Sequence, residues 1–426
     1  MLKDRKLLLI AGALAVFAVA FVIIWRLGAT PVSAGDVEEL TKGHGVGDVS
    51  PMPPNGAYRA AVADFSFGLL SASLDNVENK NVLLSPTSVY LALAMTANGT
   101  QGDSLAAMEK VLGGGMALSE INRNTSSYRA LLESGDKESG LLSLANSVWM
   151  RTGFEVKEKF LEDAAAYYDA SAFRAPFNEK TVEAINAWVK KNTGGYIDKI
   201  IEQPIDEMTM LYLINALHFD AEWESEYALE DVREGTFASP DGEKTVEFLH
   251  GSQYSYLSDT NAKGFMKPYK GSKYAFVALL PDEGTDVLDY ASSLTGERFL
   301  SVMERAEERT VYTKLPKFKT AYSVTLNSAL QAMGLEVCFD SLKADFRAMS
   351  EDKALYISSV AHKTYLEVDE LGTRGGAVTA VIMNATGMLI DPPPEVYLDR
   401  PFVYAIVDME TNLPIFLGVM QDPSAQ

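Results

Sequence analysis

The chain has 426 residues, 47% of them hydrophobic and 22% charged, an ordinary composition for a protein with a large core. Its 58 acids outnumber its 37 bases, for a formal charge of -21. With no basic stripe to offset that, nucleic-acid binding is excluded.

Lys3, Arg5 and Lys6 precede an uncharged run from Leu7 to Trp25, long enough to span a bilayer as a helix. The basic flank lies N-terminal, so the rest of the protein is expected outside the membrane. An uncleaved anchor fits the length of the run and the Arg26 that follows. Val32-Ser33-Ala34 keeps a cleaved signal peptide open as the alternative. Residues 1–26 thus read as anchor or signal, and residues 27–57, rich in Gly, Pro, Ser and Thr, as a flexible tether. Residues 58–426 make up the folded unit.

Within that unit, Ala60 to Leu74 is amphipathic and reads as a helix. Asn81 to Leu84 is a short strand. Ser85-Pro86 then has the form of a helix start, with Val89 to Ala97 continuing it. Further helices are expected over Ser104 to Leu112, Ser119 to Leu132, Thr181 to Asn192 and Val324 to Met333. The triplet Gly113-Gly114-Gly115 follows a helix and reads as its stop rather than as a phosphate cradle. Strands are expected over Leu141 to Met150, Met208 to Phe219, Tyr274 to Leu280 and Tyr356 to Val368, with a closing hairpin over Phe402 to Asp408 and Ile415 to Met420. Helices dominate the first half and strands the second, which points to an α+β fold in one unit.

Little in the sequence suggests catalysis. The four histidines, His44, His218, His250 and His362, form no metal-binding spacing, and there is no nucleophile elbow, Walker loop or dinucleotide fingerprint. No enzyme activity, metal or cofactor is expected. The single cysteine, Cys338, permits no internal disulfide and reads as a buried filler. What stands out is Glu370 to Pro394, ELGTRGGAVTAVIMNATGMLIDPPP, a long stretch with no helical period and no compact turn. Loops of that length in a compact domain are usually functional or disordered.

Several motifs resemble those of the serpins. They are NVLLSPTSVYLALAM at Asn81 to Met95, LANSVW at Leu144 to Trp149, and INAWVKKNTGGYI at Ile185 to Ile197. Asn215 with Trp223, Leu315-Pro316-Lys317, Ala344-Asp345-Phe346, His362-Lys363 and Arg400-Pro401-Phe402 follow in the family's order. The resemblance covers Tyr58 to Pro423. It implies a serpin fold of three β-sheets and about nine helices, with Glu370 to Pro394 as an exposed reactive-centre loop. Such a loop is bait. A serine protease cleaves it, forms an acyl-enzyme, and is trapped when the loop inserts as a new strand in the central sheet. The alternative is a non-inhibitory member that serves as a binding or carrier module, or that is merely cut.

The resemblance also assigns residues. Glu370, Gly372, Thr373, Gly375, Ala377 and Thr379 match the hinge. Ser85, Ser88, Asn215 and His362 match the group beneath the point where the sheet opens, and Trp223 and Lys317 the upper entry point, where Lys317 would pair with Glu370. Counting sixteen residues from Glu370 puts the reactive bond at Thr386-Gly387, with Met388 and Leu389 as alternatives. No Lys or Arg lies between Arg374 and Arg400, so the expected partners are elastase-, chymotrypsin- or subtilisin-like proteases outside the cell, met by a monomer at the cell surface or secreted.

Strand alternation can be applied to the loop directly. One face carries Thr373, Gly375, Ala377, Thr379 and Val381, all small or uncharged, and the other carries Arg374. The first face is fit for burial. Arg374, where the family usually has an acid, and Gly375 with Gly376, where it mostly has alanine, are departures that weigh against fast insertion.

Overall fold

The computed structural model of the chain describes residues 37–47, 49–74, 81–134, 141–351, 355–373 and 392–425, without the side chains at 141, 143, 215 and 216. The apolar run at 7–25 lies outside this range. Among the described residues no helix is long and apolar enough to cross a membrane.

The long apolar runs form the middle of a seven-stranded sheet. Its order is β1 (Glu38–Glu39), β4 (Ser171–Ala175), β3 (Leu141–Arg151), β5 (Leu211–Glu222), β13 (Ile357–Val368) and β12 (Phe318–Thr325), with β14 (Gly372–Thr373) also on β5. A six-stranded sheet holds β2 (Val82–Leu84), β17 (Pro414–Met420), β16 (Phe402–Asp408), β10 (Tyr274–Pro281), β9 (Ala262–Pro268) and β8 (Tyr256–Asp259). A four-stranded sheet holds β15 (Glu395–Tyr397), β11 (Val311–Pro316), β7 (Gly242–Gln253) and β6 (Val232–Ser239). The terminal hairpin is fully buried, and so is β10, which explains their unbroken apolar runs.

Helices start and stop where local chemistry dictates. α1 (Gly56–Ser73) begins ahead of its apolar stripe, because the Asn55 side chain accepts the Tyr58 N–H at 2.8 Å. α2 (Pro86–Ala97) has Pro86 in its first turn, and all twelve of its residues are buried. α3 (Gly102–Gly113) stops at Gly114, which takes φ 60°, as the glycine triplet predicts. α4 (Leu118–Glu133), α5 (Glu158–Tyr168) and α6 (Glu179–Asn192) follow, the last opened by a capping box between Asn178 and Thr181. α7 (Val287–Ser293) and α8 (Gly296–Glu304) are short. The helix expected over Val324 to Met333 differs. Val324 and Thr325 end β12, and the helical segment α9 runs through Asn327–Leu330, Gln331–Leu335 and Glu336–Phe339, kinked at Gly334 with φ 111°. Cys338 on it is fully buried, and burial holds its thiol well above the usual range.

Part of the stretch read as a tether lies on the first sheet. Glu38 and Glu39 pair with Arg174 and Phe173 on the edge strand β4, and Glu38 meets the Arg174 guanidinium at 2.6 Å. Val37 and Leu40 add two apolar contacts, too few to make a periodic signal in a polar stretch.

The first sheet is covered on both faces. Its inner face, including Leu213, Leu217, Phe219 and Ala221 of β5, belongs to the main core, with α2 beneath β3 and β5. Its outer face carries a second cluster under α6, in which Ile214 and Ala361 pack with Trp149, Phe173, Ile185 and Val189.

Candidate functional site

β5 and β13 run side by side and parallel, but their ladder covers only Leu211–Asn215 against Ile357–His362. Above that point no pairing joins the two strands among the described residues. Asn215 and His362 are therefore the last bonded pair before a fork. Asn215 is also opposite Asn146 of β3, and its side chain is outside the description.

His362 is 2% exposed, and its Nε2 accepts the backbone N–H of Ser85 at 3.0 Å. Nε2 as acceptor puts the ring proton on Nδ1. Nδ1 meets no hydrogen-bond partner among the described side chains, and nor does the buried Ser85 hydroxyl. Burial is the cause that pulls the His362 pKa down to about 4. A serine ahead of Pro86 at a helix start would cap α2 with its side chain. Ser85 occupies the capping position without making that bond, and its backbone serves His362 instead. Ser88 is buried one turn further along α2, and Thr364 donates to Leu83 O at 2.7 Å. Ser85 and His362 thus meet where β2, α2 and β13 converge, with Asn215 beside His362 in the β5–β13 ladder.

The upper half of the fork holds β14. Gly372 lies opposite Glu222 and Thr373 opposite Ala221, antiparallel to β5. The hinge leading into it is fastened at many points. Asp369 Oδ1 accepts the N–H groups of Leu371 and Gly372, forming an Asx turn. Trp223 donates its backbone N–H to Leu371 O at 2.9 Å and its indole N–H to Asp369 O at 2.9 Å. Tyr227 N–H donates to Glu370 O at 3.0 Å. Lys317 Nζ is 2.8 Å from the Glu370 carboxylate and 3.2 Å from that of Glu247. Burial disfavours both charges, but pairing outweighs it: Glu370 is held below the usual carboxylate range and Lys317 above the usual ammonium range.

Gly372 has a steric reason to be glycine. A Cβ there would lie 2.2 Å from Ala221 O and 2.7 Å from Glu222 Cα. Gly372→Val is expected to lift the hinge off β5, since overpacking of this kind costs about 1–3 kcal/mol. Hydrogen exchange at the amides of Leu371 to Thr373 checks this; exchange as slow as in the unaltered protein would refute it.

The site holds residues that the sequence did not mark. Lys267, only 2% exposed, donates to Ser225 O at 2.7 Å and lies over the rings of Tyr227 and Trp223 at 4.3 and 5.1 Å. Burial pulls its pKa down to about 7. Tyr269 stacks on Trp223 at 4.5 Å and reaches Thr373. Nothing local distinguishes Met266-Lys267-Pro268-Tyr269. The Asp369 to Gly372 turn did carry a signal, an Asp three residues before a Gly.

Gly375, Ala377, Thr379 and the candidate reactive bonds at Thr386, Gly387, Met388 and Leu389 lie outside the described residues. So does Asn384 of the glycosylation sequon Asn384-Ala385-Thr386. In the two other sequons, Asn98-Gly99-Thr100 and Asn124-Thr125-Ser126, the asparagines are engaged: the Asn98 amide bonds Asn122 Oδ1 and the Ala94 carbonyl, and the Asn124 amide bonds Glu120 O.

The described residues thus form a forked central sheet with Gly372 and Thr373 seated in the fork. The family profile described as serpin (serine protease inhibitor) matches residues 60–423. Leukocyte elastase inhibitor A of Mus musculus is 32% identical over 375 residues, covering 84% of this chain and 97% of that protein. Serpin B8 of Homo sapiens is 30% identical over 378 residues, covering 84% and 97%. The crystal structure of the thermophilic serpin tengpin in its native state superposes with a TM-score of 0.85 at 40% identity, covering 91% of this chain and all of that one. Tengpin in its latent state gives 0.75 at 39% identity. The chain belongs to the serpin family.

Proposed function

We propose that this protein inhibits serine proteases as a suicide substrate, presenting Glu370 to Pro394 as bait and trapping the enzyme by inserting the cleaved loop between β5 and β13. The observation that carries this is β14. Two hinge residues already pair antiparallel with β5 in the open part of the fork, so the first step of a new strand is taken before any cleavage. The loop's apolar and small residues favour an elastase-, chymotrypsin- or subtilisin-like target. The protein is consumed once and does not turn over. The uncharged run at residues 7–25 supports action outside the cell, at the membrane surface or after secretion.

Mixing the protein with subtilisin or elastase tests the reading. A covalent complex that survives denaturing electrophoresis is expected, as is a rise in thermal stability of the cleaved form. Cleavage without complex and without stabilisation would refute insertion and leave a carrier or plain substrate.

A further inference from the structure

Thr373 is 1% exposed, and its hydroxyl lies 2.7 Å from that of Tyr269. Tyr269 is itself fully buried and held on several sides. Its ring stacks on Trp223 with planes 11° apart, and meets Phe219 edge-on at 5.1 Å. Its N–H donates to Tyr274 O at 2.9 Å, and it forms a bridge with Trp223. Burial pushes its phenol far up, so the hydroxyl keeps its proton throughout the physiological range. The Tyr269 oxygen is thus a fixed point inside the molecule, aimed at the first inward-facing residue of the hinge.

Such a point answers a specific need. Among the described residues β14 makes two residue pairs with β5. In a strand, a slip of one residue sends every side chain to the opposite face. Here a slip would turn Arg374 toward the core. The residues that follow, Gly375, Gly376 and Ala377, are small, and glycine-rich strands specify register weakly. The ladder bonds themselves do not discriminate, because each register offers the same N–H and C=O groups; the close approach of Gly372 to Ala221 O excludes a larger residue at that point, and the Tyr269–Thr373 bond adds a side-chain anchor at the next.

We propose that Tyr269 is a positioning residue for loop insertion, its hydroxyl bonding that of Thr373 and so biasing the register at which the strand enters the sheet. The proposal rests on the insertion reading above. It differs from a general role in stability because the bond joins the hinge to a fixed point and to nothing that moves with it. Losing the bond lowers the fraction of molecules with the hinge docked in register, and insertion slows by that fraction while deacylation of the protease does not.

The test uses the full protein with subtilisin and compares Tyr269→Phe, Thr373→Val, Thr373→Ser and the Tyr269→Phe/Thr373→Val double variant. Tyr269→Phe keeps the ring and its stack. One net hydrogen bond corresponds to about a five-fold change in an equilibrium. Each of the two single deletions is expected to lower the ratio of covalent complex to cleaved product by up to about that factor. The double variant is expected to match either single one, because both remove the same bond. Thr373→Ser is expected to trap as well as the unaltered protein. Amides of Leu371 to Thr373 should exchange faster in Tyr269→Phe, while those of Tyr274–Pro281 should not change.

If the unaltered protein yields only cleaved product, the insertion reading fails and the proposal with it. If it traps, and the single variants trap equally well, the proposal alone is overturned. Effects that multiply in the double variant, or faster exchange across β10, also overturn it and assign Tyr269 to general stability.

Discussion

Thr379→Arg is expected to turn the inhibitor into a substrate, leaving cleaved protein and free protease where the unaltered chain leaves a covalent complex. The register of β14 shows why. Gly372 is opposite Glu222 and Thr373 opposite Ala221. Extending that ladder along β5 brings Gly375 opposite Phe219, Ala377 opposite Leu217, Thr379 opposite Asn215 and Val381 opposite Leu213. Directly opposed residues share a face. Phe219, Leu217 and Leu213 lie in the main core, so these loop residues enter facing inward, over α2. An arginine at 379 would be buried there with no counter-charge, at a cost of several kcal/mol. Every 1.4 kcal/mol on the insertion barrier is about ten-fold in rate, so the ratio of trapping to deacylation falls by at least about a hundred-fold. The ratio of complex to cleaved product on a denaturing gel reads the outcome. Arg374→Lys, which keeps its charge on the outer face, serves as the control and is expected to trap normally. Trapping by Thr379→Arg equal to the unaltered chain would refute the face assignment.

The same register changes the view of Arg374. By itself, a basic residue where the family usually has an acid looks unfavourable to insertion. The extended ladder brings it opposite Asp220, so opposite charges would meet across neighbouring strands on the outer face. Lower down, the outer face is covered. Ile214 and Ala361 pack there under α6, and the arriving outer residues, Ala380 and Ile382, are apolar enough to slide beneath it.

What was legible in the sequence was what local chemistry marks. The small, uncharged alternation from Thr373, the glycine stop at Gly114 and the buried apolar strands each depend on neighbours in the chain. The Lys317–Glu370 pair came from the family resemblance, and the structure sets the two 2.8 Å apart; the resemblance grouped Ser85 with His362 without naming a bond, and the bond found runs from the Ser85 backbone. What was not legible depends on contacts between distant segments. Tyr269 and Lys267 owe their setting to stacking on Trp223 and Tyr227, which no periodicity announces. Val37 and Leu40 are two apolar residues in a polar stretch, and only the exposed edge of β4 gives them a place. α9 starts later than the apolar pattern predicts because Val324 and Thr325 complete an alternating strand whose partner, β13, lies about forty residues away.

Acid is expected to weaken the fork through His362, by about 3 kcal/mol between pH 7 and pH 4. The sign follows from the tautomer. Neutral His362 accepts the Ser85 N–H on Nε2. A second proton would sit on that nitrogen and face another donor, breaking the bond and charging a buried ring. Burial accordingly lowers the folded pKa to about 4, against about 6.5 in an unfolded chain. Between those values the unfolded state binds the proton and the folded state does not. The stabilisation is therefore fully present above about pH 6.5 and is lost as pH falls toward 4. Because His362 and Asn215 are the last pair below the open part of the fork, the loss falls where β5 and β13 must separate. Asp408 and Glu133, whose carboxyl pKa values burial raises, titrate in the opposite sense, so the effect has to be read by difference. His362→Gln can keep an acceptor toward Ser85 and does not titrate. The thermal midpoint of the unaltered protein, at one fixed scan rate, is expected to fall below that of His362→Gln progressively from pH 6.5 to pH 4, with a constant offset at pH 7 and above. Parallel curves across the whole range would mean that His362 is charged, or solvated, in the folded state, and the fork would then need another explanation for its acid sensitivity.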